Sequence, residues 1–292
     1  MGRNSSKRPL IGLALSGGAA RGIAHVGVLR ALTEHEIPVD CIAGTSAGSI
    51  VGGAMASGLP LSEIETIARG LRWRDIGRMT MSRVGVQTNE RLEQYLRNRL
   101  PKTKFEELPI RFAAVATDLK SGEAVVMRDT GDIAFAIRAS CAIPGWYVPV
   151  VDDTGRQLVD GGLVANIPSG AARALGADIV IAVDVNAEGA KFLGPSLSII
   201  GVVLQSMMLV QRTVSSYQLI QADAVIKPRV GHIRWDEMGR AEELLKAGYE
   251  AGIEAVPTIK ELIEEAIKAM PKWYQLRRRR EALAKRPLTS AT

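Results

Sequence analysis

The sequence predicts an α/β domain whose mostly parallel sheet carries helices on both faces, a three-layer α/β/α sandwich. Short apolar runs of strand character alternate with segments of helical spacing from Leu10 to Met270. Within Asp178–Val185 (DIVIAVDV) the apolar character is continuous rather than alternating, as in a strand covered on both faces. At 292 residues and 47% hydrophobic the chain can bury one sizeable core, and no repeat or linker divides it before a basic tail.

Leu10–Leu15 opens the fold as a strand and ends at Ser16-Gly17-Gly18. Ile23, Val26, Leu29 and Leu32 then keep helical spacing up to His35, and Pro38 stops that helix. Cys41-Ile42-Ala43 is a short buried strand, and Ser49–Ala56 a tightly packed helix of small residues. Beyond Gly58, Leu59-Pro60 and Ser62-Glu63-Ile64-Glu65 start another helix, and Glu90–Leu100 forms one closed by Pro101. Arg111–Thr117 (RFAAVAT) is strand-like, and Ala224–Lys227 is a short strand stopped by Pro228. Met238–Ala251 and Thr258–Met270 are expected as two amphipathic helices that finish the domain.

The formal charge of +6 belongs to the tail: from Pro271 onward seven Lys and Arg face a single Glu, leaving residues 1–270 formally neutral. The basic balance therefore describes no nucleic-acid-binding face, and no specific nucleic acid is expected as a partner. The tail reads as a solvated helix end, with acidic lipid headgroups or RNA as alternative contacts. Cys41 and Cys141 are far apart in small-residue or apolar settings, which predicts free buried thiols and a reducing compartment. His25, His35 and His232 have no ligand spacing, so neither a metal nor a cofactor is expected. Met1–Arg8 is polar and basic with no hydrophobic signal, and the expected location is cytoplasmic. The expected organisation is a polar basic segment (1–9), one domain (10–270) and a basic tail (271–292). Phe192–Gln211 carries no charge and is long enough for a span, but Gly194-Pro195, Ser196, Ser198, Gln205 and Ser206 dilute it. It is expected as a buried or substrate-covering helix, with contact at the inner membrane face as an alternative.

Gly44-Thr45-Ser46-Ala47-Gly48 sets Ser46 where a strand turns into a helix. A sharp turn there is expected to demand a backbone geometry that favours glycine on either side, and to lift the hydroxyl above the positive end of the helix. The same pattern also arises as a glycine-rich turn with an incidental serine. A nucleophilic serine needs a base and a place for the oxyanion. Gly17-Gly18-Ala19-Ala20-Arg21-Gly22, just past a strand and opening on a helix, presents successive amides toward a common point. A dinucleotide phosphate would suit such a loop too, but it wants an acidic residue at the end of the next strand. Asp40 precedes that strand, and Gly44-Thr45-Ser46 occupies its end. For the base, His232 is late enough for a hydrolase triad yet lies in a polar loop, and His25 sits one turn into the first helix. Leu158-Val159-Asp160-Gly161-Gly162 offers a carboxylate closing an apolar segment, and reads equally as an Asx-capped turn.

Four segments in order, Gly17–Gly22, Gly44–Gly48, Ser140–Pro144–Pro149 and Asp160-Gly161-Gly162, resemble the patatin-like phospholipase family. The likeness runs from about Leu10 to Ala251 and is greatest to bacterial members related to the catalytic domain of neuropathy target esterase. It implies a patatin-like sandwich and a serine–aspartate dyad without histidine. Ser46 would be the nucleophile, Asp160 the base, and Gly17, Gly18 and Ala19 the oxyanion loop. The family usually has a third glycine where this chain has Ala19, whose methyl restricts the backbone. Arg21, Gly44, Gly48 and Gly161 would support the site, Arg21 by bracing the loop or by meeting phosphate. The implied activity is hydrolysis of phospholipid or lysophospholipid esters. Acyl transfer to an acceptor, or a regulatory membrane-associated protein with weak esterase activity, are the competing classes. An acyl trough is expected from Val203, Met207 and their apolar neighbours in the uncharged run, with core packing or a homodimer contact as rivals. Trp146 and Tyr147 are expected to border its entrance.

Overall fold

The computed structural model describes residues 8–188 and 199–270. The N-terminal segment up to residue 7, the stretch 189–198 that holds the start of the uncharged run, and the tail from 271 lie outside the described residues.

The chain begins with β1 (Ile11–Leu15), a 3₁₀ turn (Ala19–Ile23), α1 (Ala24–Glu34), β2 (Cys41–Thr45) and α2 (Ala47–Ala56). There follow α3 (Leu61–Gly70), α4 (Trp73–Ile76), β3 (Arg78–Met79), β4 (Gly85–Thr88), α5 (Glu90–Arg99), β5 (Arg111–Asp118) and β6 (Ala124–Arg128). Next come α6 (Ile133–Ser140), β7 (Gly145–Tyr147), β8 (Val150–Val151), β9 (Gln157–Asp160), α7 (Gly162–Ala165) and α8 (Ser169–Ala174). The last elements are β10 (Ile179–Val183), α9 (Ile199–Leu219), β11 (Ala224–Ile226) and α10 (Ala241–Ala269).

The main sheet runs β11-β10-β1-β2-β5-β9-β8, with β6 also paired to β5. Its first five strands are mutually parallel, whereas β6, β8 and β9 join antiparallel. The α/β class with a mostly parallel sheet is as expected, and β1, β2 and β10 are buried at every position. That uniform burial explains why their sequences are apolar without alternation. The main core packs α1, α2, α6 and α10 on one face, through Leu29, Phe112 and Ile137 among others. A second core under α8 covers the other face around Ala43, Ala113 and Val180. A small separate sheet, β3-β4-β7, was not expected.

Two helical expectations need correction. The final helices are one continuous α10 that carries Pro257 in its interior. Val256 and Ile259 are buried on either side of that proline, and their burial keeps the chain helical across a residue that lacks an N–H. The uncharged run, where described, belongs to α9; of the two forms expected for it a buried helix is overturned, while Met207, Met208 and Gln211 line the cavity that holds Ser46. Val202, Val203, Leu209 and Val210 are exposed. This helix is held by polar bonds from its C-terminal half: Ser215 Oγ accepts from Asn166 Nδ2 (3.0 Å), and Gln218 bonds Ile167 N (2.8 Å) and Val164 O (2.8 Å). Absence of charge therefore did not mean burial. Among the described residues no helix is long and apolar enough to cross a membrane.

Candidate active site

Strand register brings Ser46 and Asp160 together. Parallel β2 sets Thr45 opposite Val115, and antiparallel β9 sets Asp160 opposite Ala116 of the same β5. The serine and the carboxylate thus finish their strands at one level with a single strand between them. Both are nearly buried and line one cavity with Gly17, Gly18 and Ala19. Burial pushes the Asp160 carboxyl up from 3.8 to about 6, against the opposing pull of hydrogen bonds from the Ser46 side chain and the Gly162 amide. The Gly162 N–H donates to Asp160 Oδ1 at 2.8 Å, the bond of the expected Asx turn, and the same carboxyl lines the cavity beside Ser46.

The turn at Ser46 is strained, but not where the sequence suggested. Ser46 itself has φ 52 and ψ −123, while Gly44 and Gly48 keep φ outside the left-handed region. These glycines are required by close approach: a Cβ on Gly44 would lie 2.5 Å from the Gly48 carbonyl, and one on Gly48 2.3 Å from the Leu15 carbonyl. On Gly161 a Cβ would fall 2.1 Å from the Val115 carbonyl, so glycine lets the loop after Asp160 press onto β5. A residue whose role spacing did not reveal, Ser140 at the end of α6, secures the turn. Its hydroxyl donates to Val115 O (2.6 Å) and accepts from Ser46 N (2.8 Å). Ser140→Ala removes the bonds to both buried partners and should lower stability by about 1–3 kcal/mol in denaturant unfolding.

Of the three expected oxyanion amides, Gly17 is a correction. Its N–H donates to the Asn166 carbonyl (3.1 Å), because the loop is tied to the turn after α7. Gly18 and Ala19 line the cavity of the serine. Ala19 adopts φ 49, a conformation that costs an alanine roughly 1 kcal/mol. Arg21 braces this loop. It is buried; Nε donates to Ile233 O (2.7 Å) and Nη1 to Asn186 Oδ1 (3.3 Å), while Asn186 Nδ2 donates to Gly17 O (2.8 Å). Burial lowers the Arg21 pKa, and the charge of Glu188 opposes that shift.

None of the histidines serves the serine. His25 is fully buried, its Nε2 bonds Ser16 O (2.8 Å), and burial pushes it down to about 4, so it stays neutral in the core. His232 pairs with Glu243 on the surface, and His35 bonds Ala31 O (2.9 Å) at the end of α1. Among the described residues no cluster of three or more His, Cys, Asp or Glu is placed to hold a metal ion.

The residues expected to line an acyl trough are divided: Met207 and Tyr147 line cavities that reach Ser46, and Val203 is exposed. A channel of about 1040 Å³, partly open to solvent, leaves Ser46 in a different direction, between α2, α3 and α5. One face of α2 lines it at Ala47, Ile50, Val51 and Ala54, the i, i+3, i+4, i+7 spacing of a single helical stripe. Ile64 and Leu96 line it from α3 and α5. Met207 and Met208 do line the cavity of the serine, but Val203, one turn earlier, stands exposed. Tyr147 is buried in the channel wall, whereas Trp146 packs edge-on against Trp235, with ring centroids 5.9 Å apart, and acts as a prop for the cavity wall.

A family model described as patatin-like phospholipase matches residues 13–173, a stretch that holds both Ser46 and Asp160. The chain belongs to the patatin-like phospholipase family. An uncharacterized NTE family protein of Mycobacterium tuberculosis is 40% identical over 184 residues, which cover 62% of this chain and 50% of that protein. Lysophospholipase NTE1 of Mycosarcoma maydis is 37% identical over 183 residues, 60% of this chain and 10% of that protein. The match thus spans about half the length of the first relative and a small part of the second. VipD from Legionella pneumophila superposes with a TM-score of 0.60 over 87% of this chain and 67% of its own, at 15% identity, a likeness of fold alone. The kinship with NTE proteins and the patatin fold both agree with the sequence reading.

Proposed function

We infer that this chain is a serine acyl hydrolase that cleaves carboxylic esters of phospholipids or lysophospholipids through a Ser46–Asp160 dyad. The observation that carries this reading is a hydroxyl and a buried carboxyl, its pKa raised to about 6, sharing one cavity that continues into an apolar channel. Above that pKa Asp160 is ionised and takes the Ser46 proton as Oγ attacks the ester carbonyl. The amides of Gly18 and Ala19, with the positive end of α2, stabilise the oxyanion. Asp160 returns the proton to the departing alkoxide, leaving an acyl-enzyme, and then activates the water that releases the fatty acid. Membership in a phospholipase family and the lysophospholipase name of one relative support a lipid ester as substrate. Exposed Val202, Leu209 and Val210 on α9 support contact with a lipid surface.

A fluorophosphonate ester should form a covalent adduct on the wild-type protein and none on Ser46→Ala, as read by intact-protein mass spectrometry. An unlabelled wild type, or an adduct that persists in S46A, would sink the proposal.

A further inference from the structure

A polar recess adjoins the cavity of the serine and shares no lining residue with the apolar channel. It joins that cavity through Asn166, Asn186, Met208 and Gln211, which line both. Apolar channel, nucleophile and polar recess therefore follow one another in series. Such an order suits an amphiphile whose ester lies between its chain and its polar end.

The recess is rich in cations. Arg212 of α9 and Lys227 after β11 line it with Arg21, against one lining carboxylate, Asp184. Asp184 is buried, and the charges of Arg212 and Lys227 act on it through space, but among the described residues neither cation makes an ion pair. Glu188 acts in the same way on Arg21. Balancing both carboxylates still leaves a positive surplus. In addition, Arg21 Nη2 is buried with no hydrogen-bond partner, while its Nε and Nη1 are committed to the loop. Exposed cations in surplus beside an unsatisfied buried guanidinium donor, next to Ser215 and Gln211, fit a tetrahedral oxyanion with several acceptor oxygens.

We propose that this recess is a subsite for the phosphate of a lipid, held by Arg212 and Lys227 while the acyl chain occupies the apolar channel. It rests on the hydrolase reading for the position of the ester, and it assigns Arg212 and Lys227 as the residues that favour a phosphate-bearing lipid over an uncharged one. Arg21 keeps its bracing role, and its free donor strengthens the field at the recess floor.

Binding to the Ser46→Ala protein tests the subsite without turnover. The ligands are a lysophosphatidate and the uncharged monoacylglycerol with the same chain, measured in S46A and in S46A/R212Q/K227Q. S46A should bind the lysophosphatidate tighter by on the order of 10-fold, and the double substitution should bring the ratio near unity. Equal affinities in S46A, or a preference that survives R212Q/K227Q, would overturn the assignment. Melting curves check that the variant is folded, and a single R212E in the S46A background, which should reverse the preference, gives a second reading. Glycerol 3-phosphate separates the two sources of phosphate. Competition only far above the lipid's own concentration supports a lipid headgroup site, whereas competition at matching concentration makes this a site for soluble phosphate esters and overturns the lipid assignment. An inactive wild type that still shows the preference would defeat the hydrolase and not the subsite.

Discussion

Asp160→Asn should reduce ester hydrolysis by about three orders of magnitude and at the same time stabilise the fold at neutral pH. Asparagine keeps the shape and still accepts the Gly162 N–H, but it takes no proton from Ser46. The gain in stability follows from linkage. Burial raises the folded-state pKa of Asp160 from 3.8 to about 6, so the folded state holds its proton more tightly than the unfolded chain does. That contribution is fully present below about pH 4 and is lost as pH rises through about 6, where the native protein must carry a buried negative charge. Asparagine never ionises and escapes the loss. A shift of this size corresponds to roughly 3 kcal/mol at most. Denaturant unfolding of wild type and D160N should therefore diverge at pH 8 and converge near pH 4. Wild-type kcat/KM should climb with pH along a limb centred near 6. A wild type more stable than D160N at pH 8, or a flat rate profile from pH 5 to 8, would count against the carboxylate as base.

The second large effect concerns chain length. Ala54 lies eight residues beyond Ser46 on α2, about 12 Å along the helix at 1.5 Å per residue, and faces the apolar channel. Ala54→Phe should fill the channel at that depth. Each methylene kept out of it forfeits about 0.8 kcal/mol, so excluding three or four lowers kcat/KM for palmitoyl esters by roughly a hundredfold. Butyryl esters, which end short of the block, should be hydrolysed at close to the wild-type rate. Steady-state kinetics on the two esters checks this, beside a melting curve to register the strain of overpacking. Equal loss on both esters, or none on either, would place the acyl chain elsewhere.

How much of this was legible beforehand differs from residue to residue. Ser46 stood out because a strand-to-helix turn is a local device: strand, tight turn and helix are consecutive in the chain, and the close approaches around Gly44 and Gly48 leave glycine at fixed positions. Asp160 was named by motif and by family likeness. Its partnership with Ser46 depends on the register of β9 against β5, which no local pattern encodes. α9, expected as buried or as covering the substrate and found exposed along Val202, Val203, Leu209 and Val210, shows the converse. Hydropathy described its composition, but three polar side chains, Ser215, Gln218 and Asn166 across from them, decide which side faces the protein. The α2 stripe at Ala47, Ile50, Val51 and Ala54 was present in the sequence, yet small helical residues read equally as core, and only the gap between α2, α3 and α5 makes them a channel.

The sequence by itself determined the alternation of strands and helices and the position of the serine turn, because each rests on neighbours within a few residues, and it determined the family through four short motifs in order. Only the tertiary structure decided the raised pKa of Asp160, the hydrogen bond that commits the Gly17 amide, and the direction of the apolar channel. Those depend on burial and on hydrogen bonds between segments a hundred residues apart, and such contacts come into being only when the sheet is assembled.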